Sequence, residues 1–171
     1  MQFDYPENWP QFFTATISKW KNLFKDDQYK DVIIRSLQHL ASIKKVKIVG
    51  FVVMPNHIHL IWQAMPGHSL KAVQVSFLKH TSKEFIKLLI RDNKSKSYEV
   101  NKADRKHQFW KRDSLGIELF TPAVLKQKLV YIHYNPVKAG LSLMPEDYRY
   151  SSASFYENGT DTFGLLEHWV G

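Results

Sequence analysis

The sequence predicts an α+β fold: strand, helix, strand, strand, helix, strand, then one more helix. Two patterns predict it. Short runs rich in β-branched and aromatic residues alternate with long segments whose apolar residues recur every three or four positions. Between them stand residues that start or stop such elements, among them Pro55-Asn56, Met65-Pro66-Gly67 and Thr121-Pro122.

Phe12-Phe13-Thr14-Ala15-Thr16-Ile17 has strand composition, and residues 20–25 read as a polar connection. From 26 to 45, Tyr29, Val32, Ile33, Leu37, Leu40 and Ala41 fall at helical spacing. Asp26 and Asp27 at the start and Lys44 and Lys45 at the end suit the helix dipole. Residues 46–54 are a second β run, and Pro55-Asn56 turns the chain into a third, so these two form a hairpin. Ser69 is the N-cap of a long helix to about residue 91, with Leu70, Val73, Phe77, Thr81, Phe85 and Leu88 on one stripe. Lys71, Lys79, Lys83 and Lys87 lie off that stripe as a solvated face.

The segment at about 92–108 is poor in apolar residues and carries Lys94, Lys96, Lys102, Arg105 and Lys106, so it reads as a basic loop. Residues 109–119 read as a fourth strand or a short β pair. Thr121-Pro122 opens a helix through Leu125, Leu129 and Ile132 that should end or kink at Pro136. The tail, about 142–171, shows no clear period. The β-α-β-β-α-β order is the ferredoxin-like arrangement, an antiparallel sheet with helices on one face. Its open face can carry polar side chains, with the final helix covering part of it.

The candidate chemistry begins at His57-Ile58-His59, just after the hairpin turn. Strand alternation puts His57, His59 and Ile61 on one face and Ile58, Leu60 and Trp62 on the other. Two neutral imidazoles side by side can hold one divalent cation; the plainer alternative makes them ordinary residues of a sheet surface. On the last helix, Tyr131 and Asn135 are four apart and share a face, with His133 turned away. They offer a phenol nucleophile and an oxygen ligand, or else a half-buried core tyrosine and an asparagine capping the helix before Pro136.

Composition narrows the setting. The chain has 171 residues, 44% hydrophobic and 14% aromatic, one domain's worth. It has no cysteine, which removes disulfides, thiolate nucleophiles and cysteine zinc sites. The start, Met1-Gln2-Phe3-Asp4-Tyr5-Pro6, lacks the basic-then-apolar pattern of a signal peptide. No apolar run is long enough to span a bilayer, so the expectation is a cytoplasmic protein without a membrane partner. A net charge of +8 and a pI of about 9.5 favour a phosphate-backbone partner.

Val53-Met54-Pro55-Asn56-His57-Ile58-His59-Leu60, followed by Tyr131-Ile132-His133-Tyr134-Asn135-Pro136-Val137-Lys138-Ala139-Gly140-Leu141, resembles the single-tyrosine HUH transposases, especially the REP-associated branch of the insertion-sequence 200-like family. Tyr148-Arg149-Tyr150-Ser151-Ser152 is similar to that branch's tail motif. The resemblance spans nearly the whole chain and implies one HUH nuclease domain over residues 1–171, acting on single-stranded or hairpin DNA as monomer or homodimer. It implies that His57 and His59 ligate Mg²⁺ or Mn²⁺ and that Tyr131 is the nucleophile. Asn135 stands where insertion-sequence relatives carry a glutamine ligand, and His133 is its rival. A phenol in water ionises at about pH 10, so its attack needs help, which a cation on the scissile phosphate supplies. Lys111, Arg112 and Lys138 are candidates for holding DNA phosphates, and Trp110 and Tyr134 for stacking on bases, with burial in the core the stronger reading for Trp110. Two other readings differ in what they predict. A hairpin-binding module without cutting predicts no effect of Tyr131→Phe, and a water-using phosphodiesterase predicts cleavage without a protein–DNA adduct.

Overall fold

A computed structural model describes residues 6–169. Residues 1–5, read above for a targeting signal, and residues 170–171 of the tail lie outside the described residues. In chain order the elements are β1 (Gln11–Thr16), α1 (Asp27–Ser42), β2 (Val46–Val53), β3 (His57–Ala64), α2 (Leu70–Arg91), β4 (Glu99–Lys102), β5 (Arg105–His107), β6 (Leu115–Glu118), α3 (Pro122–Lys138) and α4 (Ala153–Asn158). The main sheet runs β2-β3-β1-β6, antiparallel at each of its pairings. With β6 as fourth strand, this is the ferredoxin-like topology expected from the sequence.

Side chains alternate along β1 and β3 and so feed two cores. Phe13, Ile58, Leu60 and Trp62 join Val32, Ile33 and Leu37 of α1 and Val73, Phe77 and Phe85 of α2. Phe12 and Ile61 face the other way and meet Leu125, Leu129 and Ile132 of α3. Helices α1, α2 and α3 each start where a side chain takes up a free backbone donor: Asp26 accepts from Gln28 N, Ser69 from Ala72 N and Thr121 from Val124 N.

β2 feeds both cores by slipping register. A bulge between Ile48 and Gly50 switches the alternation, so Ile48 and Phe51 face one core and Val49 and Val52 the other. Gly50 lies under α3: a Cβ there would sit 2.5 Å from Leu129 Cδ2 and 3.3 Å from Ile132 Cδ1. Any larger residue there would force Leu129 of the helix to shift.

Four local expectations change. Residues 20–25 are not a polar connection, because a 3₁₀ turn at Leu23–Lys25 drives Leu23 and Phe24 into the core. The basic segment at 92–108 is not simply a loop. It holds a 3₁₀ turn at Ser95–Tyr98 and the β4–β5 hairpin, anchored by Tyr98 stacking on Phe109 at 5.3 Å; its many charges masked two short strands. Of residues 109–119 only Leu115–Glu118 is strand, since Phe109 and Trp110 turn into the core. The last helix also runs through Pro136 to Lys138. It ends in a Schellman motif, with Gly140 N donating to Val137 O, Leu141 N to Pro136 O and Gly140 at φ +70°.

The tail seals the outer edge of β2. Val53 N donates to Tyr150 O and Ser152 N to Phe51 O, each at 2.9 Å. Tyr148 OH donates to Val53 O at 2.7 Å, and Tyr150 OH reaches Asp31 of α1 at 2.9 Å. The Tyr-Arg-Tyr-Ser-Ser stretch therefore covers the sheet edge through one antiparallel bridge, Val52 to Ser151, and hydroxyl anchors.

Candidate active site

His57 and His59 project from the start of β3 towards the α3 side of the sheet, the side of Phe12 and Ile61. Their rings lie 4.8 Å apart between centroids. Each is oriented through Nδ1. His57 Nδ1–H donates to Asn56 Oδ1 at 2.7 Å, and His59 Nδ1 is hydrogen-bonded to Thr14 Oγ1 at 2.8 Å. Thr14 is the residue paired with His59 across the β1–β3 register. With Nδ1 engaged, Nε2 of each ring is the nitrogen left to ligate, the arrangement by which second partners orient metal-binding imidazoles.

Burial keeps both rings neutral. Desolvation lowers the His57 pKa. It pushes His59 down to about 3, helped by the charges of His57 and Lys128. Phe12 stacks on His59 at 5.2 Å and 20°, which accounts for much of that dry surrounding. A neutral imidazole is the form that binds a cation, so the donor chemistry of this pair fits a divalent metal.

Tyr131 comes to the pair from α3. Its ring centroid lies 5.5 Å from that of His59, and the residue is 44% exposed. It is therefore not a core tyrosine; the phenol stands open beside the histidines. Lys128 and Lys138, three residues before and seven after, hold their ammonium nitrogens 5.8 and 5.9 Å from its ring centre. Two cations thus flank the hydroxyl-bearing ring.

Asn135 lies one turn beyond Tyr131, and its Nδ2 donates to Tyr131 O at 3.0 Å. That leaves Oδ1 as an oxygen donor. Because the helix continues to Lys138, Asn135 is not its cap. No cluster of three or more His, Cys, Asp or Glu suited to a metal occurs among the described residues. His133 turns the other way. It is buried, with Nε2 hydrogen-bonded to Ser152 Oγ at 2.7 Å, and burial pushes its pKa down to about 4. It ties α3 to the tail.

The other expected DNA contacts separate. Lys138 lies beside Tyr131. Lys111 and Arg112 line a groove of about 590 Å³ together with Lys79, Lys83, Arg105 and Lys106. Lys111 N donates to Thr16 O at 2.8 Å, and Thr16 is paired with His57, so one end of the groove adjoins the histidine end of the sheet. Trp110 is no stacking platform: it is buried, with Nε1 donating to Thr81 Oγ1 at 3.1 Å. Tyr134 remains exposed. Sequence reasoning missed Lys128, which the i, i+3 rule applied to Tyr131 would have found. It also missed Thr14 and Asn56, whose roles need the strand register.

Comparison with known proteins gives the family and the fold. The family model described as Transposase IS200 like matches residues 13–115, and the chain belongs to that family. A Haemophilus influenzae protein named as a REP-associated tyrosine transposase is 24% identical over 155 residues, spanning 87% of this chain and 82% of the relative. A solved structure of a REP-associated tyrosine transposase bound to a REP hairpin superimposes with a TM-score of 0.64 at 18% identity. It covers 100% of this chain and 98% of that one, and so shares the fold.

Proposed function

We propose that this transposase-family chain cuts and rejoins single-stranded DNA, at hairpin-bearing ends, through a covalent bond to Tyr131. The observation that carries the reading is the convergence of His57, His59 and the exposed Tyr131 ring from two separate elements. The relative that shares the fold is described bound to a REP hairpin, which supports a hairpin substrate here. The chain's basic charge supports a nucleic acid more generally.

His57 and His59, through Nε2, and Asn135, through Oδ1, would hold Mg²⁺ or Mn²⁺. Such a cation polarises the scissile phosphate and stabilises the charge that builds in the transition state. Tyr131 Oη loses its proton and forms a bond to phosphorus; the P–O3′ bond breaks, and the departing 3′ oxygen takes up a proton. The products are a 5′-phosphotyrosine and a free 3′-OH. Rejoining runs in reverse from another 3′-OH, so the bond energy is conserved in the enzyme-linked strand. Lys128 and Lys138 oppose the negative charge gathering at the phosphate. Imidazole ligands suit Mn²⁺ better than Mg²⁺, so Mn²⁺ is expected to support the reaction at least as well.

The test is a covalent-adduct assay with labelled hairpin DNA from the gene's own flanks and Mn²⁺, resolved on a denaturing gel. The expected result is a labelled band at protein mass that disappears with Tyr131→Phe and with EDTA. Cleavage without that band would point to water as nucleophile. Binding without cleavage would reduce the chain to a hairpin-holding module.

A further inference from the structure

Two consecutive non-glycine residues, Lys19 and Trp20, have positive φ, 57° and 55°. For a bulky aromatic residue this is a strained backbone, of the kind that persists only when its surroundings over-determine it. The surroundings do so. On one side Ile17 N donates to Asn56 O at 2.8 Å; on the other Phe24 N donates to Pro55 O at 2.9 Å. The segment is thus clamped at both ends onto the turn that carries His57.

What the strain achieves is presentation. The indole of Trp20 is 58% exposed, although this molecule buries Trp62 completely. Lys111 Nζ sits 4.6 Å from the Trp20 ring centre. Ile17 bridges Trp110, and Lys111 N donates to Thr16 O, the residue paired with His57, so Lys111 joins the sheet at the end where His57 stands. Neighbouring strands are about 4.8 Å apart, which places the Lys111 backbone about 10 Å from that of His57. An exposed indole beside an ammonium suits one nucleotide: the base stacks on the ring and the phosphate meets the cation.

We propose that Trp20 and Lys111 form a shelf for an unpaired nucleotide flanking the scissile phosphate. The shelf rests on the reading of the chain as a DNA strand-transfer enzyme and extends it to a second contact outside the histidine–tyrosine site. It takes bases by stacking, so it fixes where the strand lies more than which base is there.

The test measures affinity in EDTA, where cleavage is absent, for hairpin DNA from the gene's own flanks, intact or with one abasic nucleotide placed in turn along the single-stranded flank. Wild type is expected to lose about 10-fold at one position. Trp20→Ala is expected to bind intact DNA about 10-fold more weakly and to ignore that abasic position, while Trp20→Phe keeps most of the affinity. Lys111→Gln should weaken binding and flatten its salt dependence by about 0.7 in log–log slope. An unchanged melting temperature for each variant excludes misfolding. If Trp20→Ala binds like wild type, or still feels every abasic position as wild type does, the shelf is wrong even if the Tyr131 adduct forms. If wild type binds none of these DNAs, the shelf and the DNA reading fall together.

Discussion

At His133 the imidazole is buried between α3 and the tail and hydrogen-bonded to Ser152 Oγ. Burial holds its pKa at about 4 in the folded chain, against about 6.5 when unfolded. Between those values the unfolded chain binds the extra proton, so stability is complete above about pH 6.5 and is lost as pH falls towards 4. One such group contributes about 2–3 kcal/mol of that loss by pH 4.5. Urea unfolding at pH 7 and pH 4.5 should show His133→Gln losing less stability than wild type by about that amount, although it starts from a lower value. An identical loss in both proteins would mean that His133 is not held neutral. His59, also lowered to about 3, adds a slope of the same sign, so only the difference between the two proteins isolates His133.

At the scale of elements, the decisive contact is the seat of α3 on β2. The helix that carries Tyr131 approaches over Gly50, where a methyl would meet Leu129 at 2.5 Å. Gly50→Ala should cost about 1–3 kcal/mol and lift the helix. Adduct formation is expected to fall at least 10-fold at a temperature where the variant is still fully folded, since small misplacements of reacting groups are costly. A wild-type adduct rate would show that the helix tolerates the shift. The elements around this seat were legible in the sequence: α1, the β2–β3 hairpin and α2 each have a strong period and a cap, and alternation alone put His57 and His59 on the face that α3 covers. The seat itself was not legible. A lone glycine within a β run hints at a bulge or a close approach, but it does not announce which helix lies over it or that the bulge aims Val49 and Val52 at α3. Pro136 misled for a related reason. It removes one backbone donor, but packing on α3 and the Schellman end at Gly140 carry the helix past it. Trp20 escaped notice because its exposure depends on a backbone conformation that its residue type disfavours.

Over the whole molecule, the +8 net charge is unevenly used. Lys79, Lys83, Lys111 and Arg112 line one groove against α2, while Lys128 and Lys138 flank Tyr131 on the α3 side. A single strand meeting four of these cations should bind with a log–log salt slope of about −3, or about 50-fold weaker at 200 mM than at 50 mM salt. Lys83→Gln should lower that slope by about 0.7. A slope that the substitution leaves untouched would place the DNA elsewhere. No helix among the described residues is long and apolar enough to cross a membrane.

The sealing of β2 by the tail has a consequence for biosynthesis. Tyr148, Tyr150 and Ser152 leave the ribosome after Tyr131 does, yet Ser152 bonds both Phe51 of the sheet and His133 of α3. A chain interrupted before residue 148 would carry every group proposed for the chemistry and lack the brace that holds the helix to the sheet. Such a fragment is expected to form little Tyr131 adduct, and supplying the missing tail as a separate peptide should restore part of it. On the proposed chemistry, cutting DNA then waits until the tail has been made.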